Sequence, residues 1–273
     1  MQNTMKTIKY AIYTALLILP FTLPAQPAFH TGEELTLRVS YRAKLVPNTE
    51  VAEVTLRVSD TTINGRKVYR IHGNGRTLPS FRWFYNLNDS YDSYVDCQSG
   101  RPVLSTSSLR EGSYRASSRF TYDWDNRKVT TVKQRKEDPP VTRTLDLQAK
   151  SYDGVSLFYD LRSTDISLLK RGDSQVIALL LDDTVRHISY RFLGREKKKV
   201  RGVGTFRTLK FSCQLATSTG MSFDDGDEFF IWISDDSNKI PVYFESPIKV
   251  GSVRAYIKSY KGLMHPLESL VDK

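Results

Sequence analysis

Apolar and polar residues alternate with a period of two along most of this chain, and that pattern restricts it to sheets with one buried face. In ELTLRVSY (residues 34–41), Leu35, Leu37, Val39 and Tyr41 share one side while Thr36, Arg38 and Ser40 share the other. A strand sends successive side chains to opposite faces, so such a segment suits an antiparallel sheet with one packed and one wet surface. Ala52, Val54, Leu56 and Val58 repeat the pattern against Glu53, Thr55, Arg57 and Ser59. Asn64-Gly65 then supplies the positive φ angles of a tight hairpin turn, and a strand returns over residues 67–77. In residues 113–124, Tyr114, Ala116, Phe120, Tyr122 and Trp124 point one way and Arg115, Ser117, Arg119, Thr121 and Asp123 the other. Further strands are predicted over residues 175–181, around Ile188, Tyr190 and Phe192, and over 206–217, 228–234, 240–246 and 251–260.

One segment changes period. After Lys150, Ser151 or Asp153 can cap a helix in which Val155, Phe158, Tyr159 and Leu161 fall at helical spacing through Arg162. The expected fold class is therefore all-β with a minor helix: a mostly antiparallel, twisted sheet curled into an open or closed barrel. The short helix, around residues 151–163, would cover an edge or a mouth. Residues 26–261 read as a single β-rich domain, with residues 150–173 as a crossover between two β halves. Residues 262–273 read as a loose C-terminal tail.

The N-terminus indicates export. Lys6 and Lys9 precede an uncharged apolar run, residues 10–19, which Pro20 breaks and small Ala25 follows. A basic start, a short apolar centre and a small-residue exit make a signal peptide over residues 1–25, whereas a membrane-spanning helix needs about twenty apolar residues. The first cysteine is Cys97, so no lipid-modified N-terminus is expected, and no later stretch is apolar enough to anchor the mature chain. A soluble periplasmic or otherwise exported protein follows. Loss of residues 1–25 removes two lysines and no acid, so the net charge of +10 falls by only two. In an envelope the polyanions at hand are lipid headgroups and acidic glycans, and nucleic acid is not an expected partner. Cys97 and Cys213 would lie in an oxidising compartment, where a disulfide between them is one option. The alternative is that Cys213, alternating with Leu209, Phe211 and Leu215, is a small buried hydrophobe.

Positive signs of chemistry are missing. No two of His30, His72, His187 and His265 have metal-ligand spacing, and His187 is placed on the wet side of its strand. No serine sits in a nucleophile elbow, and Gly202 and Gly204 lead into a strand, where they serve a bulge or bend. Asp224, Asp225, Asp227 and Glu228 lack the closing glutamate of a calcium loop and read as a solvated hairpin. No cofactor, metal or catalytic residue is expected. Two features remain for binding. Phe81, Trp83, Tyr85, Tyr91 and Tyr94 crowd residues 81–94 (FRWFYNLNDSYDSY), where aromatics either line a ligand pocket or, the favoured reading, plug the end of a barrel. Arg195, Lys197, Lys198, Lys199 and Arg201 in REKKKVR form a hairpin tip that either touches an anionic surface or is simply solvated.

Three stretches carry a resemblance: FHTGEEL (residues 29–35), DGVSLFYDLR (153–162), and WISDDSNKIPVYFE (232–245) followed by GSVRA (251–255). In that order they resemble the domain-of-unknown-function family numbered 3108, exported proteins of the bacterial envelope. The resemblance, spanning about residues 29–260, implies one periplasmic β-rich domain and carries over no catalytic or binding residue. The leading functional expectation is a noncatalytic binding or carrier protein for an apolar or amphiphilic envelope molecule, a lipid or glycan. The alternatives are an envelope scaffold that binds another protein and has no internal ligand, and, ranked last, a hydrolase of envelope polymers.

Overall fold

The computed structural model describes residues 28–43, 46–166, 169–181, 184–216, 228–247 and 251–272. The signal peptide expected over residues 1–25 and the acids Asp224, Asp225 and Asp227 lie outside them. A first meander runs through β1 (Glu34–Ala43), β2 (Val46–Ile63), β3 (Arg66–Thr77) and β4 (Asn88–Asp96). It continues through β5 (Pro102–Glu111), β6 (Tyr114–Asp123), β7 (Lys128–Arg135) and β8 (Val141–Asp146), each strand pairing antiparallel with the next. The two-residue β9 (Ser151–Tyr152) and the helix α1 (Gly154–Ser163) follow. A second meander takes β10 (Ser174–Leu181), β11 (Thr184–Val200) and β12 (Gly204–Leu215) into β13 (Glu228–Ser234), β14 (Pro241–Pro247) and β15 (Ser252–Lys261). β1 pairs with β15, Glu34 opposite Lys261, and so joins the two meanders into one sheet.

The strand order makes the sheet roll. Its outermost strands, β8 and β9, are consecutive in the chain and separated only by residues 147–150. That link spans at most roughly 18 Å, so the two edges must approach each other. Among the described residues no ladder joins them, and the sheet remains an open, barrel-like curl. Side chains close the seam: Leu180 of β10 packs with Phe120 and Tyr122 of β6 and Val129 of β7. Mostly antiparallel β structure with one helix is therefore the observed class; the exception to antiparallel pairing is β9 beside β10. The β2–β3 hairpin turns as its sequence requires, with Asn64 at φ 50° and Gly65 at φ 77°.

Three expectations need correction. First, α1 covers neither an edge nor a mouth but lies inside the curl. Val155, Phe158 and Tyr159 pack with Val58, Ile71 and Val95 of β2–β4, while Leu157 and Leu161 pack with Ile177 and Leu179 of β10. A helix apolar on two sides needs a wall on each. Second, the C-terminal segment is not loose. Leu263, Leu267 and Leu270 pack on the cluster of Leu35, Phe206, Ile240 and Val242, and β16 (Leu270–Asp272) pairs with β12. Gly204 makes room for it: at φ 144°, a Cβ there would stand 2.2 Å from the Asp272 carbonyl oxygen. Third, His187 is buried rather than wet, its Nε2 3.2 Å from the side-chain nitrogen of Gln148 across the seam.

One buried ion pair ties the interior to both ends of the described chain. The Arg162 guanidinium donates to both Glu33 oxygens, at 2.6 and 2.7 Å, and both side chains are fully buried. It also donates to the carbonyls of Asn238, at 3.0 and 3.1 Å, and Ala28, at 3.2 Å. Its plane lies within 4.9 Å of the Tyr159 ring centre and 5.7 Å of Phe29. Asn238 in turn receives the His265 N–H and donates to the His265 and Pro266 carbonyls, clasping the C-terminal segment. Arg162→Met would strand the Glu33 carboxylate without a partner, at a cost of about 3–5 kcal/mol in urea unfolding. A loss below about 1 kcal/mol would mean the junction is incidental to the fold.

Candidate functional site

Helix α1 divides the interior, leaving a cavity at each end of the curl. The first, about 450 Å³, opens beside the helix N-terminus and is lined by Tyr91, Leu109, Phe120, Val155, Leu180 and Leu215, with Arg186, three serines and one threonine. Strand parity explains the lining: Tyr91, Ser107 and Ser118 lie opposite one another on β4, β5 and β6, and all face inward. The Ser107 and Ser118 hydroxyls bond each other at 2.7 Å. One carboxylate, that of Asp153, faces the cavity, and it is fully partnered. Asp153 caps α1 through the Val155 and Ser156 amides and accepts from the Ser93 and Ser156 hydroxyls, each at 2.8 Å. Asp92 borders the cavity by its backbone, its carboxylate turned to the other face of β4, where it bonds Arg70 at 2.8 Å and His72 at 3.0 Å. Burial, then the charge of Asp153, pushes the Tyr122 phenol well above its ordinary value.

The second cavity, about 560 Å³, lies at the opposite end. Phe29, Tyr69, Cys97, the 98–100 turn, Lys150 and the last turns of α1 line it. Its character is more polar. Asp96 is fixed by the amides of Gln98 and Ser99 and the Ser99 hydroxyl, at 2.7–3.2 Å. Those bonds hold its carboxyl below the usual range against the opposing effect of burial. Asp160 is raised, burial outweighing the Tyr152 hydroxyl and Lys150. Among the described residues no group of histidine, cysteine and carboxylate side chains is arranged to hold a metal ion.

The structure separates the sequence-derived candidates. Of the aromatic set only Tyr91 lines the 450 Å³ cavity. Tyr94, three residues on, takes the opposite face, beside Arg70. Tyr85 donates its hydroxyl to Glu111 at 2.9 Å. Phe81 is half-buried in the short 3₁₀ turn Pro79–Phe81, and Trp83 stands outward, 83% exposed, so this loop plugs nothing. The basic run is also not a flexible tip: it forms the end of β11, and its charges alternate in direction. Lys198 sits half-buried on the outer face between the rings of Trp232 and Tyr243, at 3.7 and 3.9 Å, and burial lowers its pKa. Arg195 pairs with Asp235 at 3.2 Å, while Lys197, Lys199 and Arg201 are exposed. The disulfide is not formed: both cysteines are free, Cys97 exposed and Cys213 buried. Leu215 lies on the apolar strand face its alternation predicts, whereas Leu109, Leu180 and Arg186 carry no individual sequence signal; Leu180 and Arg186 take opposite sides of the β10–β11 pair and meet the cavity at the seam.

The family model for DUF3108, described as a protein of unknown function, matches residues 36–258. The chain belongs to this family. No curated protein matches the DUF3108 chain. A solved structure is similar to it: the beta-barrel-like protein of domain of unknown function DUF1849 from Brucella abortus, at 9% identity and a TM-score of 0.55. The likeness covers 89% of the DUF3108 chain and 100% of the other and concerns the fold alone. All three motif stretches contribute to the Arg162 junction, with Glu33, Arg162 and Asn238 drawn one from each.

Two measurements test this chemistry. Burial and the charge of Glu228 push the Cys213 thiol up to about 12, so thiolate is scarce there at neutral pH. A maleimide should label one cysteine, Cys97, in the folded protein and a second only after unfolding; rapid labelling of both would contradict the burial. Asp160 binds its proton more tightly when folded than at its ordinary value of 3.8. Its contribution therefore favours the fold at acid pH and is lost as pH rises through the raised value. Asp160→Asn should gain stability over wild type between about pH 3 and pH 7, and a flat difference would show that the carboxyl is not perturbed.

Proposed function

We propose that this DUF3108 protein is an exported, noncatalytic carrier that shelters the apolar part of an amphiphilic envelope molecule. The observation that carries the proposal is the 450 Å³ cavity beside the α1 N-terminus, which has leucine, phenylalanine and valine walls, a hydroxyl row and one arginine, Arg186. Small-molecule sites are typically concave and mostly apolar, with a few polar groups and volumes of about 300–1,000 Å³. An amphiphile matches that division, its chain against Leu109, Leu180 and Leu215 and its polar end toward Arg186. The 560 Å³ cavity is larger but more polar, and its walls include the bonded 96–99 turn.

A noncatalytic role is the simpler reading of the same residues. A hydrolase needs acids free to exchange protons with substrate. Asp153 is taken up by the helix cap, and Asp92 by Arg70 and His72. Export rests on the N-terminal residues, and the net charge of +10 suits an environment of anionic polymers.

Native mass spectrometry of protein purified from its own envelope should show a co-purifying lipid-like mass. The delipidated protein should bind 11-(dansylamino)undecanoic acid with a blue-shifted emission, and Ser118→Phe, which fills the cavity, should weaken uptake at least tenfold while leaving the thermal transition nearly in place. Protein that is uniformly ligand-free and takes up no probe, or uptake indifferent to Ser118→Phe, would overturn the carrier reading.

A further inference from the structure

The β3–β4 loop exposes two large aromatic side chains side by side. Trp83 is 83% and Phe84 77% exposed, with ring centres 5.9 Å apart and edge to face. Neighbouring exposed aromatics of this size mark a contact surface more often than a plain wet one. Their presentation is built into the loop. Phe81 N–H bonds the Leu78 carbonyl, and the Phe84 and Tyr85 amides both bond the Phe81 carbonyl, at 2.9–3.1 Å. The Trp83 indole N–H donates to the Ser80 carbonyl at 2.9 Å. The one polar group of the indole is thus satisfied within the loop, and its ring can leave water without stranding a donor.

The same loop borders a groove of about 390 Å³ lined by Arg76, Arg82, Arg110, Arg115, Asn86 and Asn88. All four arginines are exposed. Arg76 pairs with Glu53 at 2.8 Å. Among the described residues Arg82, Arg110 and Arg115 have no carboxylate partner; the Arg82 and Arg115 side chains donate only to carbonyls of their own turns. The nearby acids are engaged, Glu111 with the Tyr85 hydroxyl and Asp89 with the Arg110 amide. Guanidinium groups in excess over carboxylates form a receptor for phosphate oxygens, which they bind in bidentate fashion.

We infer that this loop docks the protein on an anionic lipid surface, with Trp83 and Phe84 entering the headgroup boundary and Arg82, Arg110 and Arg115 taking lipid phosphates. Tryptophan and phenylalanine beside basic residues have the composition of an interfacial anchor, apolar at the tip and cationic one layer back. The anchor and the 450 Å³ cavity lie at the same end of the curl: Leu87, in the loop, bridges Glu111, two residues beyond cavity-lining Leu109. The docking inference does not depend on the cavity holding a ligand.

Co-sedimentation with vesicles tests it. Wild type should partition onto phosphatidylglycerol–phosphatidylcholine (1:1) at least tenfold better than onto pure phosphatidylcholine, and the preference should fall with added salt. Trp83→Ser/Phe84→Ser and Arg82→Gln/Arg110→Gln/Arg115→Gln should each cut partition at least tenfold with thermal transitions unchanged, since all five side chains are exposed. Residues 1–27 are common to all variants, so these differences belong to the loop. Brominated phosphatidylglycerol should quench the tryptophan emission of wild type and much less that of Trp83→Phe. Partition indifferent to both sets of changes, or equal on neutral vesicles, would overturn the inference. So would cross-linking from residue 83 to a single envelope protein without vesicle binding, which would assign the surface to a protein partner.

Discussion

The Arg162–Glu33 pair is the constraint on which the rest of the arrangement turns. A charge pair with no exposure is tolerated only when each member is fully met, and here the guanidinium has carboxylate, carbonyl and aromatic neighbours at once. Meeting those demands fixes where α1 sits, where the chain enters β1 and where the β13–β14 turn must come. The same turn then holds the C-terminal segment through Asn238. Strand pairing builds the wall, but this junction sets how the wall, the helix and both ends of the described chain meet.

The interior helix also decides what kind of container the curl can be. A sheet of this length rolled without a filling would enclose a wide lumen. Instead α1 packs on β2–β4 with one side and on β10 with the other, so free space survives only beyond its two ends. The two spaces differ in chemistry because different strand termini reach them. One meets inward leucines and serines; the other meets the tight 96–99 turn, Lys150 and the last turns of α1.

Period-two patterning made the strands legible, since every buried position of β6 and β7 follows from counting by twos. The position of α1 was partly legible as well, through the Asp153 cap. That Arg162 belongs inside was encoded in its spacing of seven from Val155, a full two turns along the apolar face, but an arginine at a helix end ordinarily reads as solvated. The leucines of the C-terminal segment are too sparse to show a period, and their partners lie far away in sequence. The exposure of Trp83 and Phe84 follows from the hydrogen bonds that fold their loop on itself, which a cluster of aromatic residues in the sequence does not reveal. Lys198 likewise looked like part of a charged surface until the pairing of β11 to β14 placed Trp232 and Tyr243 beneath it.

One consequence follows from the way the curl ends. β8 terminates the hydrogen-bonded path, and most of its residues are exposed, Val141 among them. Its outer row of amides and carbonyls is a template that an extended segment from another molecule could join, the usual route to edge-to-edge aggregation. The chain protects this border locally. Pro139 and Pro140 lead into it and remove two donors, and Thr142, Arg143 and Thr144 break its apolar character. Truncating those guards would be felt first as a change in solubility, well before any loss of the folded wall.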